Sequence, residues 1–208
     1  METSLWLLLL LPATNLAAAF REKEANLKLY FWVECVGNTL TLVALRLFGW
    51  QSYTYTFLYS LNVLADVVAF YVVVKRYATI FSLVVCGGFW TVIGWWSLES
   101  LISHSGAILG TLAGMVACLG EGVLRMTLAM ALGFAVPHST RRHTLGILVF
   151  LWIFLGLEDF ALVLHPTSDL MWNNVNFWLS YVLCIGAFGW IACTRSDDSP
   201  LGAPRSSA

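Results

Sequence analysis

Seven predominantly apolar stretches divide the chain, at about 4 to 20, 29 to 49, 53 to 74, 78 to 98, 106 to 134, 144 to 164 and 170 to 193. Each comes near the roughly 20 residues with which an α-helix crosses about 30 Å of hydrocarbon. The pattern therefore predicts an all-α polytopic bundle of seven transmembrane helices forming a single domain over 1–193. The connections are short, so neighbouring helices should pack antiparallel, and no extramembrane domain is expected. The tail over 194–208 is rich in Ser, Pro, Gly and charge. Such composition cannot offset the entropy of ordering, and the tail is expected to be disordered. The fifth stretch carries small residues at a helical step of four: Gly106, Gly110, Gly114, Cys118 and Gly122. Helices in lipid associate where small residues let backbones approach, so this helix should be the most enclosed.

Composition agrees: 59% of the 208 residues are hydrophobic and only 11% charged, far from the balance of a soluble domain. A formal net charge of -1 leaves no basic field for nucleic acid. Charge placement fixes an orientation, because cytoplasmic loops collect Lys and Arg. Arg21, Lys23 and Lys28 fall in the first connection, Lys75 and Arg76 in the third, Arg141 and Arg142 in the fifth, and Arg195 and Arg205 in the tail. Only Arg46 and Arg125 lie within spans. The amino terminus is expected outside and the carboxyl terminus in the cytoplasm, with the chain multi-pass in the cell (inner) membrane. Leu5 to Leu11 followed by Ala17 to Ala19 looks like a secretory signal, but no basic residue precedes it and Glu2 is acidic. Cleavage would also invert every later helix against its charges, so an uncleaved first helix is expected.

Ionisable groups inside spans normally face the bundle interior with a partner. Counted from the basic ends at 1.5 Å per residue, Glu34 lies roughly 9 Å, Asp66 roughly 13 Å, and Asn38 and Arg125 roughly 15 Å deep. Asn62 and Glu121 stand one turn further on. These six residues should form a buried polar network, with Arg125 paired to Asp66 or Glu121. Three carboxylates around one guanidinium cannot all ionise comfortably without other donors. A static clamp fixing helix register and a proton or solute site both fit. Tyr55, Tyr59, Asn62 and Asp66 share one face of the third helix and add a polar seam. Nearer the outer ends, Arg46, Glu99, Glu158 and Asp159 suggest a second cluster beside the interfacial Trp95 and Trp96, with Arg46 paired to Glu158 or Asp159. These two adjacent acids project about 100° apart, so one of them should face inward.

Known chemistries narrow the field. Lys23, Lys28 and Lys75 all sit at span ends, which excludes a retinal Schiff base. His104 and His165 lie at one surface and His138 and His143 at the other, and no cofactor is expected. The five cysteines form no CxxC and no Cys/His cluster, so neither a disulfide framework nor a metal site is indicated. No GxSxG, HExxH or phosphate loop is present, and an enzyme is not expected. Spans one to three do not repeat in five to seven, and Pro12, Pro137 and Pro166 do not mark matching midspan breaks, as two-repeat carriers would have.

The Tyr30-Phe31 opening of the second helix, the Tyr/Asp third helix, the Glu121 and Arg125 pair, and Arg142-His143 with Gly146 in the sixth resemble small, uncharacterised bacterial seven-helix integral membrane proteins. The resemblance implies the fold and no activity. Two functions fit the sequence. The first is a non-enzymatic sensor or a subunit partnering other membrane subunits within the lipid bilayer. The second is a small carrier or proton-coupled transporter using Asp66, Glu121 and Arg125. A water-accessible cavity reaching Asp66 would favour the second.

Overall fold

The computed structural model describes residues 8–49, 52–104, 109–164 and 170–194. They form α1 (Leu10–Arg21), α2 (Ala25–Phe48), α3 (Tyr53–Tyr77), α4 (Ile80–His104), α5 (Leu109–Ala135), α6 (Arg142–Leu164) and α7 (Leu170–Cys193). A 3-10 turn over Val136–His138 joins α5 to α6, with Pro137 in its first positions. Each helix falls on one of the seven apolar stretches, and the described residues contain no strand.

Local signals set the helix ends. Glu24 caps α2, accepting hydrogen bonds from the backbone N–H groups of Asn26 and Leu27 at 3.2 and 2.8 Å. Ser52 caps α3 by accepting from Tyr55 N at 3.1 Å. Side chains of this kind satisfy donors that the first turn leaves unpaired. Arg21 closes α1, and Lys75 and Arg76 close α3, where the helix dipole favours positive charge.

Five helical stretches are long and apolar enough to cross a membrane: Ala25–Phe48, Tyr53–Tyr77, Ile80–Ser100, Met115–His138 and Arg142–Val163. The described part of α1 has 12 residues, and α7 contributes the shorter apolar run Trp178–Cys193. Large apolar side chains such as Phe57, Leu64, Val84, Trp95 and Trp190 cover the outward faces. A surface of that kind belongs in lipid, and the chain has the make-up of an integral membrane protein.

Six helices close a ring in the order α1, α2, α3, α5, α6, α7, and α7 packs back on α1. α4 lies outside this ring, against α5 and the edge of α6. α5 touches α3, α4 and α6, and its span buries the largest share of the five, as the sequence led us to expect. Toward the end carrying the basic connections, Tyr30, Phe31, Phe70, Trp152 and Phe188 fill the ring. Phe70 stacks on Trp152 with ring centroids 3.7 Å apart and planes 12° from parallel. At the same end Arg21 Nη1 donates to the Ala192 carbonyl at 2.7 Å, and Arg141 Nη1 stands 3.1 Å from Glu22 Oε1. These contacts fasten α1, α7 and the α5–α6 connection together.

Gly106 and the tail over 195–208 lie outside the described residues. Gly110 and Gly114 stand in α5 where only the backbone is described, so the small-residue stripe is traced here through Cys118 and Gly122.

Candidate functional site

The site begins with the crossing of α5 and α6. A Cβ added to Gly122 would stand 3.1 Å from Cβ of Asp159 and 3.3 Å from the Gly156 carbonyl oxygen, and one added to Gly156 would stand 2.8 Å from Cγ of Met126. With no side chain at either position the two backbones come close, and Arg125 reaches across. Its Nη1 lies 3.6 Å from Asp159 Oδ2, while Nη2 pairs with Glu121 one turn back on its own helix. The guanidinium carbon sits 5.9 Å from the centroid of the Trp152 ring, within cation–π range. Arg125 is 9% exposed, and its Nε has no partner.

α2 and α3 supply the opposite wall. Tyr30, Glu34 and Asn38 recur at a step of four along α2, which places them on one face. Glu34 accepts from Tyr30 Oη at 3.2 Å and from Asn38 Nδ2 at 2.8 Å. Tyr30 Oη in turn accepts from Trp152 Nε1 at 3.0 Å, which links α2 to α6. From α3, Asp66 lines the same cavity as Glu34. Asp66 is 8% exposed and one of its oxygens, Oδ1, has no partner. Asn62 fits here because position 37 is glycine: any Cβ there would overlap its amide.

Between these walls lies a cavity of about 240 Å³ to which every helix of the ring contributes and α4 contributes nothing. Glu34, Asn38, Asn62, Asp66 and Arg125 all line it. The sequence's counting of depths therefore brought together residues that the fold does unite. Glu121 belongs to the network through Arg125. Tyr59 lines the cavity with the seam residues Asn62 and Asp66, and Tyr55 stacks on Tyr59 with centroids 6.2 Å apart. The aromatic group at Tyr30 and Phe188 forms the floor.

The structure does not assemble the outer cluster. Arg46 and Glu99 are exposed, and Arg46 makes no ion pair among the described residues. Glu158 and Asp159 both line the cavity instead. Their directions, about 100° apart, serve two neighbours: Asp159 turns to Arg125 on α5, and Glu158 accepts a hydrogen bond from Ser180 on α7. Because α6 sits between α5 and α7 in the ring, neither acid has to face lipid. Arg125 pairs with Glu121 and Asp159, and not with Asp66.

The cavity is rich in acid. Glu34, Asp66, Glu158 and Asp159 line it against one cation, Arg125, with no lysine or histidine. Among the described residues no group of three or more His, Cys, Asp and Glu is arranged to hold a metal ion. What the arrangement offers is negative charge, the amides of Asn38 and Asn62, and tyrosine rings. Those features suit a small cation that donates hydrogen bonds. Compared with protein-family models, curated proteins and solved structures, the chain finds no match.

Proposed function

We propose that the protein is a seven-span, non-enzymatic carrier of the bacterial inner membrane that moves a small organic cation in exchange for a proton, with the ring cavity as its site. The observation that carries this reading is the cavity inside the ring, which Asp66 and Glu34 line together while Arg125 pairs with Glu121 and Asp159. A clamp whose only task was to fix helix register would need no open volume beside its acids. In this reading the exchanged proton rides on Asp66, and a cation seated in the cavity replaces it. The aromatic floor closes the cavity toward the basic end, while the half-exposed Tyr59 stands at its other edge. The basic connections support an outside amino terminus and a cytoplasmic carboxyl terminus.

The test is uptake of radiolabelled methylguanidinium, which stays charged and crosses bilayers poorly, into liposomes holding the purified protein and a pH-sensitive dye. Uptake should be matched by proton release from the lumen, and Asp66→Asn should abolish both while the protein remains folded. Undiminished exchange in Asp66→Asn would refute the assignment. A second reading, a sensor or a subunit of a larger assembly, is favoured by the tight Arg125, Glu121 and Asp159 arrangement. It predicts no exchange at all, and co-purifying membrane subunits.

A further inference from the structure

Asn62 borders two spaces at once. On one side is the acidic cavity, and on the other is a groove of about 380 Å³ between α2 and α3. That groove is walled by Trp32, Val36, Leu40, Leu58, Leu61 and Ala65. Val36, Leu40 and Leu61 are about half exposed on the outward face, so the groove opens where lipid would lie. Gly37 and Asn62 complete its lining. The Asn62 side chain occupies the space that the missing Cβ of Gly37 leaves, and its Oδ1 has no partner. One amide is thus the shared wall of an apolar slot open to the membrane and a negatively charged chamber.

We propose that the groove and the chamber form one site for a membrane-dissolved amphiphilic cation, which enters sideways between α2 and α3. Its alkyl chain lies along Trp32, Val36 and Leu61, and its charged head reaches Glu34 and Asp66 once the Asn62 amide, which fills the gap beside Gly37, swings aside. Charge complementarity selects the head, because a fatty anion would meet four carboxyls. The single side chain that parts the two spaces selects the chain, because a head admitted past Asn62 would leave its chain in the groove. This rests on the carrier reading and names its substrate class.

The test uses the full chain in nanodiscs and dodecylguanidinium with a diazirine at the alkyl end, photolysed and mapped by mass spectrometry. Label is expected on the groove faces of α2 and α3. An excess of unlabelled dodecylguanidinium should reduce it at least tenfold, whereas dodecanol should not. Ala65→Trp fills the groove from its lipid side without touching the chamber, and should reduce competed labelling to a similar extent while leaving methylguanidinium exchange intact. Asp66→Asn should lose both. Labelling that dodecanol matches, or that Ala65→Trp leaves unchanged, would overturn the lateral site. If methylguanidinium is exchanged without specific labelling, the carrier reading stands and this inference falls. If neither probe is recognised, both fall.

Discussion

Arg125→Met tests the assembly of the interior most directly. The guanidinium stands 3.6 Å from Asp159 Oδ2, and at an effective dielectric constant of about 20 unit charges at that separation attract by about 5 kcal/mol. The pair with Glu121 adds to this, and both carboxylates are largely buried, with side chains 17% and 12% exposed. Methionine matches the length of the arginine stem but leaves two acids facing each other without a cation. Removing one partner of a buried ion pair costs about 3–5 kcal/mol, and that loss is expected in unfolding of the detergent-solubilised protein by increasing dodecyl sulfate. Neutralising the acids as well, in Arg125→Met with Glu121→Gln and Asp159→Asn, should recover most of it, since an ion cluster replaced as a whole can be nearly neutral. Arg125→Lys should fall between, because a point charge cannot bridge both acids as a fork does. A single variant within about 0.5 kcal/mol of the parent, the range of an ordinary surface change, would refute the pairing. So would a triple variant no more stable than Arg125→Met.

Other substitutions address the helix crossings and the aromatic floor. Gly122→Ala meets Cβ of Asp159, a backbone carbonyl and the Phe160 ring at 3.1–3.3 Å, and overpacking there should cost about 1–3 kcal/mol. Gly156→Ala meets chiefly the flexible Met126, and should cost less in the same assay. The reverse order would contradict the crossing geometry. Gly37→Ala should displace the Asn62 amide and destabilise by about 1–3 kcal/mol, and adding Asn62→Ala should restore stability; an additive double variant would mean the two do not touch. Tyr30→Phe leaves the buried Trp152 N–H without its acceptor, at about 1–3 kcal/mol. Trp152 emission should shift, and an unchanged spectrum together with unchanged stability would count against that hydrogen bond.

Hydropathy alone was enough for the helix count, and among the described residues the observed bounds depart from the apolar stretches by a few residues, most at the end of α4. Membrane spans are legible because lipid demands length and apolarity from every one of them. The meeting of Glu34 with Asp66 was legible too. Both are short acids on antiparallel neighbours, so the depth of the backbone is nearly the depth of the carboxyl. Ring closure was not legible: nothing in the order of apolar runs says that α4 is left outside while α1 meets α7. The face of α6 was also hidden, since its apolar residues run all the way round. Gly156, in the same helix, was a signal that could have been used, as a glycine where another helix must come close.

The outer cluster failed for a reason that applies to long side chains generally. Arg125 lies 10 residues before Ala135, and Asp159 lies 17 residues after Arg142, so at 1.5 Å per residue their α-carbons are roughly 15 and 26 Å from the near ends of their helices. The 3-10 turn over Val136–His138 lengthens the α5 arm by about 6 Å at 2.0 Å per residue, and about 5 Å of separation remains. Side chains on a helix lean toward its N-terminus. In this antiparallel pair that carries Arg125 up its helix toward Glu121 and carries Asp159 down toward Arg125, and the glycines at 122 and 156 remove the lateral gap. Backbone depth therefore misplaces an arginine by about one turn, always toward the N-terminal end of its own helix. Applied here, the correction takes Arg125 away from Asp66 and onto Asp159, and Asp66 is left lining the cavity without that guanidinium.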